Sequence, residues 1–245
     1  MNRYEGRLPE ELRPLSIAVN YLPQAEGSAL IRLGRTWVLC TASLEERVPP
    51  FLQGSGQGWV TAEYDMLPRA THTRRPRAAH TGRLSGRTQE IQRLIGRSLR
   101  AVVDLTALGE RSIILDCDVL QADGGTRTAA ITGAFVALCQ ALAGLQRQEE
   151  IDTVPVLDQV VAVSVGRVSD RILVDLDYQE DSRAAVDANF VVTGRGDLVE
   201  VQATGEQGPF SPALVLEMLH QAQPALQRLR QAQEEALGSW LPLPW

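Results

Sequence analysis

One stretch of this chain joins an alternating strand pattern, a glycine-rich turn and a long apolar run, and it restricts the possible folds more than any other feature. Apolar and polar residues alternate over Ser112–Gln121, as in a β-strand that buries one face. The turn at 123–128 follows, and small apolar residues continue from Thr128 to about Leu145. The stretch therefore predicts a strand, a tight turn and a helix in direct succession.

The rest of the chain shows the same order of strands followed by a helix. The expected elements are strands at 28–33, 36–41, 59–64, 160–168, 171–177, 188–193 and 198–203, and helices at about 85–104 and from 212 onward. Pro224 is expected to kink or restart the last helix. The pattern predicts an α+β fold with two strand-then-helix halves, at 11–145 and 156–224, and a C-terminal tail at 225–245.

Arginine is concentrated between Arg69 and Arg100, where nine arginines and one glutamate occur. The formal net charge is −6, so this window carries +8 and the remainder of the chain −14. A basic patch on an acidic protein favours a polyanionic substrate. Residues 69–84 contain few apolar side chains, which predicts a loop whose arginines contact a phosphate backbone. The arginines of the following helix fit either a solvated face or a subunit contact.

The glycine-rich turn has the features of an anion site. The chain contains no lysine, so an anion must be held by arginine side chains and backbone N–H groups. Gly124 and Gly125 allow close backbone approach, and the helix after them offers unpaired N–H groups at its positive end. Thr126 adds a hydroxyl and Arg127 a bidentate guanidinium. The same residues also fit a plain strand-to-helix turn with a threonine cap, and the Walker spacing is missing.

A group of carboxylates follows the strand expected at 171–177. Its members are Asp175, Asp177, Glu180, Asp181 and, six residues later, Asp187. Magnesium at phosphoryl-transfer sites usually takes one or two carboxylates together with phosphate oxygens and water. The group therefore predicts either a magnesium site or a solvated acidic loop. Asp116 and Asp118 share one strand face, and for them we expect structural hydrogen bonds.

The remaining composition bears on the compartment. The three cysteines, Cys40, Cys117 and Cys139, lie far apart in apolar surroundings, which predicts buried, reduced thiols. The N-terminus is polar and shows no signal peptide, and no apolar run approaches the ~18 residues of a membrane span. We therefore expect a cytoplasmic protein with no membrane partner.

Several motifs are specific enough to indicate a family. They are AEGS at 25–28, VLCTA at 38–42, GQGWVTAEY at 56–64, MLPR at 66–69, THTR at 71–74, GRTQEIQRL at 86–94 and LDCDVLQADGGTRTA at 115–129. Together they resemble the bacterial ribonuclease PH family over about residues 13–209. The resemblance implies an α+β fold with mixed sheets, related to the second domain of ribosomal protein S5.

The resemblance also implies an activity and an assembly. The family is a phosphorolytic 3′→5′ exoribonuclease, a phosphate-dependent tRNA nucleotidyltransferase that trims precursors of tRNA and other RNA. We therefore expect inorganic phosphate as co-substrate, Mg²⁺ as cofactor and RNA, not DNA, as substrate. The expected assembly is a homo-oligomer of six chains, a trimer of dimers. Related exosome subunits include inactive ones, so the alternative is a catalytically inactive RNA-binding ring subunit.

Matching positions imply the site residues. Arg87, Gly125, Thr126 and Arg127 would hold phosphate, with Arg127 also catalytic. Asp175 and Asp181 would bind the divalent ion or supply a proton. Arg69, Arg74 and Arg77 would contact RNA.

Overall fold

The first half of the chain forms a five-stranded mixed sheet. The computed structural model describes residue 3 and residues 6–77, 82 and 84–238. The strands of this sheet are β1 Leu15–Val19, β2 Gly27–Leu33, β3 Thr36–Glu45, β4 Trp59–Met66 and β5 Ser112–Gln121. They lie in the order β1-β2-β3-β5-β4; the β4–β5 pair is parallel and the other pairs are antiparallel.

The second half forms a four-stranded sheet. Its strands are β6 Val160–Val168, β7 Arg171–Val174, β8 Val186–Thr193 and β9 Leu198–Gly205, in the order β7-β6-β8-β9. Every pair is antiparallel, and β6–β7 and β8–β9 are hairpins with short connections. The expectation of a mixed sheet thus holds for the first half, whereas the second sheet is purely antiparallel.

Helices cover these sheets. Within the described residues they are α1 Gly86–Arg100, α2 Leu105–Leu108, α3 Thr126–Arg147, α4 Tyr178–Asp181 and α5 Pro212–Leu237, with a 3₁₀ turn at Pro50–Leu52. Ser85 caps α1, because its side chain accepts a hydrogen bond from the Thr88 N–H. The expected apolar stripe of α1 is buried, including Ile91, Ile95 and Leu99. This helix packs on β4.

Helix α3 is the central element of the core. It contacts β2 and β3 of the first sheet and β6 of the second. Its length and composition would suit a membrane span, but 94% of its most apolar window is buried inside the protein. Small residues allow the close packing: a Cβ atom on Gly27 would overlap the Ala137 carbonyl. The apolar character of α3 is therefore explained by its position in the core.

The two halves share this core. One apolar cluster includes Ile31 and Phe135 from the first half together with Val160 and Val191 from the second. Helix α5 connects the two halves by hydrogen bonds. The buried Gln233 side chain donates to the Thr132 carbonyl at 3.0 Å and to the Val160 carbonyl at 2.9 Å. The relative position of the two sheets is therefore set by continuous packing.

The structure also differs from the sequence expectations in several elements. Strand β1 was not expected. The strand expected at 171–177 ends at Val174, because Asp175 has a φ of 57° and leaves the extended conformation. Helix α5 continues through Pro224, and its buried face includes Met218 before the proline and Leu229 after it. The segment from 225 to 237 is therefore helix, and residues 239–245 of the expected tail lie outside the described residues.

Several side chains outside the site have a simple structural explanation. Cys40, Cys117 and Cys139 are buried free thiols, as expected. Asp116 and Asp118, for which we expected structural hydrogen bonds, instead lie opposite Glu63 and Asp65 in the β4–β5 pair. Burial raises the pKa of both carboxyls; the Glu63 charge adds to the shift of Asp116 and the Asp65 charge to that of Asp118.

Candidate active site

A cleft of about 580 Å³ is lined by residues from both halves. Its walls include the first turn of α1, the turn between β5 and α3, and the segment from α4 into β8. The charged side chains along it are Arg75, Arg87, Arg127, Asp181, Asp187 and Glu206. The cleft thus brings the glycine-rich turn and part of the acidic group together, although they are more than 50 residues apart in the sequence.

The glycine-rich turn has a conformation that depends on glycine. Gly124 has a φ of 75° and Gly125 a φ of 65°, both in the left-handed region. A Cβ atom on Gly124 would overlap the Leu176 carbonyl. Thr126 is the first residue of α3, so the N–H groups of this first turn have no partner within the helix. The turn therefore presents backbone donors and a positive helix end to the cleft.

Tyr64, which the sequence analysis did not select, orients the Thr126 hydroxyl. The buried Tyr64 hydroxyl donates a hydrogen bond of 2.8 Å to Thr126 Oγ1. Burial raises the pKa of Tyr64 to about 12, against the opposing effects of this hydrogen bond and of Arg87 and Arg127. The hydroxyl therefore stays protonated at neutral pH. The motif at 56–64, which ends at Tyr64, is the sequence feature that could have identified this residue.

Arg127 is held in the cleft by two side chains. Its Nη1 donates to Gln202 Oε1 at 2.8 Å and lies 3.6 Å from Glu90 Oε1. Burial lowers the pKa of Arg127, and the nearby Arg87 lowers it further. Arg87 lies in the exposed first turn of α1 and lines the same cleft. Two guanidinium groups whose charges disfavour each other would be stabilised by an anion between them.

Asp181 and Asp187 face the cleft as a pair of carboxylates. Removal of water by the cleft walls raises the pKa of Asp181, although Arg87 and Arg127 act in the opposite direction. Burial and the Asp181 charge raise the pKa of Asp187. One oxygen of Asp187, Oδ1, is buried and has no hydrogen-bond partner among the described residues. The pair therefore leaves one buried acceptor oxygen to which a small divalent cation could bind.

This donor set fits magnesium better than zinc. Within the described ranges, no group of three or more His, Cys, Asp or Glu side chains is arranged to hold a metal ion. Two carboxylates with an unsatisfied oxygen match the usual magnesium site, where substrate phosphate and water complete the coordination. Asp187 was noted in the sequence but not selected as a site residue.

Asp175 does not lie with Asp181. Its side chain is 1% exposed, and both of its oxygens accept hydrogen bonds from the Arg13 guanidinium, at 2.9 Å and 2.6 Å. The Arg13 backbone N–H donates to the same carboxylate at 2.7 Å. Asp175 is absent from the cleft wall. The sequence could not show this, because Arg13 is 162 residues away in the chain.

Of the loop arginines that the structure describes, Arg75 lines the cleft and the others lie outside it. Arg69, Arg74 and Arg77 are exposed, and none of them lines the cleft. Arg75 does line it, and its backbone N–H donates to the Pro68 carbonyl at 2.9 Å. Residues 78–81 and 83 of the same arginine-rich segment, including Arg83, lie outside the described residues. The described part of the loop is thus a basic surface beside the cleft.

A larger cavity of about 830 Å³ is lined by Arg3, Arg7 and Glu180, among others. The charges of these three side chains are paired with one another or with Asp175. The cavity contains none of the residues expected to hold phosphate, so the smaller cleft is the candidate active site.

Known solved structures share this fold. Rice (Oryza sativa) Rrp46 has a TM-score of 0.76 at 20% identity, with 97% of this chain and 99% of that chain covered. A chain of the Archaeoglobus fulgidus exosome with RNA bound to the active site has a TM-score of 0.78 at 24% identity, with 94% and 92% covered.

Sequence comparisons agree with the fold. Residues 11–143 match domain 1 of the 3′ exoribonuclease family and residues 158–225 match domain 2. Ribonuclease PH of Moorella thermoacetica is 58% identical over 97% of this chain and 95% of its own length. Ribonuclease PH of Bacillus mycoides is 54% identical over 96% of this chain and 97% of its own length. This chain therefore belongs to the ribonuclease PH family of 3′ exoribonucleases.

Proposed function

We propose that this protein is a phosphorolytic 3′→5′ exoribonuclease that trims the 3′ ends of tRNA precursors and other RNA. Inorganic phosphate attacks the last phosphodiester, a nucleoside diphosphate leaves, and the RNA becomes one residue shorter. The observation that carries the proposal is that the anion turn, two arginines and two carboxylates lie in one cleft. The phosphodiester is exchanged for a phosphoanhydride, so an excess of nucleoside diphosphate should extend RNA.

The phosphate cradle provides the nucleophile with a fixed position. Arg87 and Arg127 bind and orient inorganic phosphate, while the Gly125 N–H and the Thr126 hydroxyl fix its rotation. Both reactants are anions, so neutralisation and in-line positioning account for most of the catalytic task. Gln202 and Glu90 support Arg127 before phosphate arrives, so this guanidinium needs little reorganisation during the reaction.

The carboxylates act on the other reactant. Asp181 and Asp187 would hold Mg²⁺, which when bound supplies positive charge beside the scissile phosphate. Asp181 is also a candidate general acid for the departing 3′-oxygen, because its raised pKa increases the protonated fraction. Asp175, expected from the sequence to share this task, is engaged by Arg13 and has no exposed oxygen for a cation.

RNA binding and assembly extend the proposal beyond the cleft. The exposed Arg69, Arg74 and Arg77 are placed to follow the phosphate backbone upstream of the 3′ end. We propose a homohexamer built as a trimer of dimers, working in the cytoplasm. The rival function, an inactive RNA-binding ring subunit, is not favoured, because such a subunit has no need for both the phosphate residues and the carboxylates.

The proposal is tested by incubating a 3′-extended tRNA with the protein and Mg²⁺, with and without phosphate. Nucleoside diphosphates should form, and only when phosphate is present. Nucleoside monophosphates in phosphate-free buffer would indicate hydrolysis, and no trimming in either buffer would favour the inactive subunit.

A further inference from the structure

The buried pair of Arg13 and Asp175 joins three separate parts of the chain at the back of the phosphate turn. The Arg13 side chain is 1% exposed, so it contacts no substrate. Besides Asp175, its guanidinium donates to the carbonyl oxygens of Asp123 and Gly124. A single side chain thus connects the N-terminal segment, the glycine-rich turn and the segment that leads into α4.

Thr36 completes the arrangement from β3. The fully buried Thr36 hydroxyl donates to the Gly124 carbonyl at 2.6 Å and accepts from the Asp123 N–H at 3.0 Å. Arg13 Nη1 also lies 3.4 Å from this hydroxyl oxygen. The Gly124 carbonyl therefore has two donors, the Thr36 hydroxyl and Arg13 Nη2.

These contacts act on the donors of the cradle through peptide geometry. The Gly124 carbonyl and the Gly125 N–H belong to one planar, trans peptide unit, so fixing the direction of one fixes the other. Glycine has the widest backbone freedom of any residue, and two consecutive glycines would otherwise leave this unit free to rotate. The donors on the Gly124 carbonyl remove that freedom before phosphate binds.

Asp175 contributes in two ways. Its carboxylate neutralises Arg13 and orients the guanidinium so that the remaining N–H groups reach the turn. Its backbone is also anchored, because the Asp175 N–H donates to the Ser164 carbonyl at 2.7 Å. Leu176, the next residue, packs its carbonyl against Gly124. The left-handed φ of Asp175 thus places the carboxylate and this carbonyl against the same turn.

We propose that Arg13, Asp175 and Thr36 are positioning residues that hold the Gly124–Gly125 peptide in its phosphate-binding orientation. The proposal rests on the phosphorolytic function proposed above and assigns to Asp175 a role separate from the cation and acid chemistry of Asp181 and Asp187. Loss of any of the three residues should weaken phosphate binding and leave the chemical step largely intact.

The test measures KM for phosphate, kcat and the phosphate-induced shift in thermal midpoint. Asp175→Asn is the first variant, because Asn tolerates the left-handed conformation while it removes the charge and one of the two oxygens that accept from Arg13. Thr36→Val is the second, since it keeps the shape and leaves the Arg13–Asp175 pair in place. Thr36→Ser, which restores the hydroxyl, is the conservative rescue. Asp158→Asn is the matched control: Asp158 is buried and accepts from the backbone of Gln159 and Arg195, away from the cleft.

We expect Asp175→Asn and Thr36→Val to raise KM for phosphate about tenfold, the upper range for one hydrogen bond, with kcat within about twofold. Phosphate should stabilise both variants less than it stabilises the wild-type protein. Thr36→Ser and Asp158→Asn should keep the wild-type KM. If Asp175→Asn does not fold, the comparison of Thr36→Val with Thr36→Ser still tests the proposal.

Two results would overturn the proposal. Unchanged KM and thermal shift in both variants would reduce the three residues to a structural role. A large loss of kcat in Asp175→Asn, together with an altered Mg²⁺ dependence, would show that Asp175 binds the cation or acts as the acid. The wild-type protein is measured in the same assay. If it releases no nucleoside diphosphate, the proposed function is wrong; if it does, the variants test the positioning role alone.

Discussion

Replacement of Arg127 by alanine removes the guanidinium that we propose binds phosphate. The side chain is 16% exposed and anchored to Gln202 at 2.8 Å, so it is preorganised and partly desolvated. The relevant scale is thus that of a preorganised transition-state donor, about 10²–10³-fold or roughly 2.7–4 kcal/mol. The scale of an exposed ion pair, at most ~1 kcal/mol, does not apply.

The assay is phosphorolysis of a 3′-extended tRNA at several phosphate concentrations, comparing kcat/KM for phosphate. Arg127→Ala should lose at least ~10²-fold. Arg127→Lys should recover little, because an ammonium cannot bind Gln202 and phosphate through one rigid fork. Arg228→Ala is the control: this arginine is 45% exposed and pairs with Glu235 at 3.0 Å, outside the cleft. It should change the rate by no more than about twofold.

A folded Arg127→Ala variant with a rate close to wild type would refute this reasoning. The glycine-rich turn would then be only a strand-to-helix connection, as the sequence alone also permitted.

Three further predictions concern the carboxylates, the loop arginines and the assembly. Asp187→Asn should abolish turnover but raise the thermal midpoint at pH 7 in the presence of a chelator, because a carboxyl whose pKa is raised by folding destabilises the folded state when it is ionised. This gain in thermal midpoint should disappear below about pH 4, where the carboxyl is protonated in both the folded and the unfolded state. An unchanged or lower midpoint at pH 7 would contradict this prediction. Replacing Arg69, Arg74 and Arg77 together, which are exposed and lie outside the cleft lining, should weaken binding of long RNA and reduce the log–log salt slope by up to ~2–3, at ~0.7–0.9 per lost phosphate contact, with little effect on a minimal oligonucleotide. An equal loss on both substrates would place these arginines in the site or the fold. Light scattering should give six chains per particle, and a stable, fully active monomer would contradict the proposed ring.

Local patterns predicted most of the fold. The strand Ser112–Gln121 has the bounds that alternation gave, and α3 extends only two residues beyond the expected run at each end. Strand β1 was missed although Leu15, Ile17 and Val19 alternate with Ser16 and Ala18, because the run is only five residues long. The course of α5 through Pro224 depends on packing against the second sheet, which a local helix-breaking rule does not include.

The site was predictable where its residues are contiguous and not where they are distant. The turn at 124–127 carries its glycines, threonine and arginine together, so the sequence revealed it. The sequence does not show which two of Asp175, Asp181 and Asp187 form the carboxylate pair, because Asp181 lies six residues from each of the other two. That assignment needed the three-dimensional structure. The pairing of Asp175 with the distant Arg13 becomes visible only in the three-dimensional structure, as does the Asp187 oxygen that has no hydrogen-bond partner among the described residues.

In the proposed reaction, inorganic phosphate is the nucleophile. The most direct measurement supplies radiolabelled phosphate with an unlabelled 3′-extended tRNA and follows the label. We expect one labelled phosphate in the β position of a nucleoside diphosphate for every nucleotide removed. RNA that shortens while all of the label remains in inorganic phosphate would contradict it.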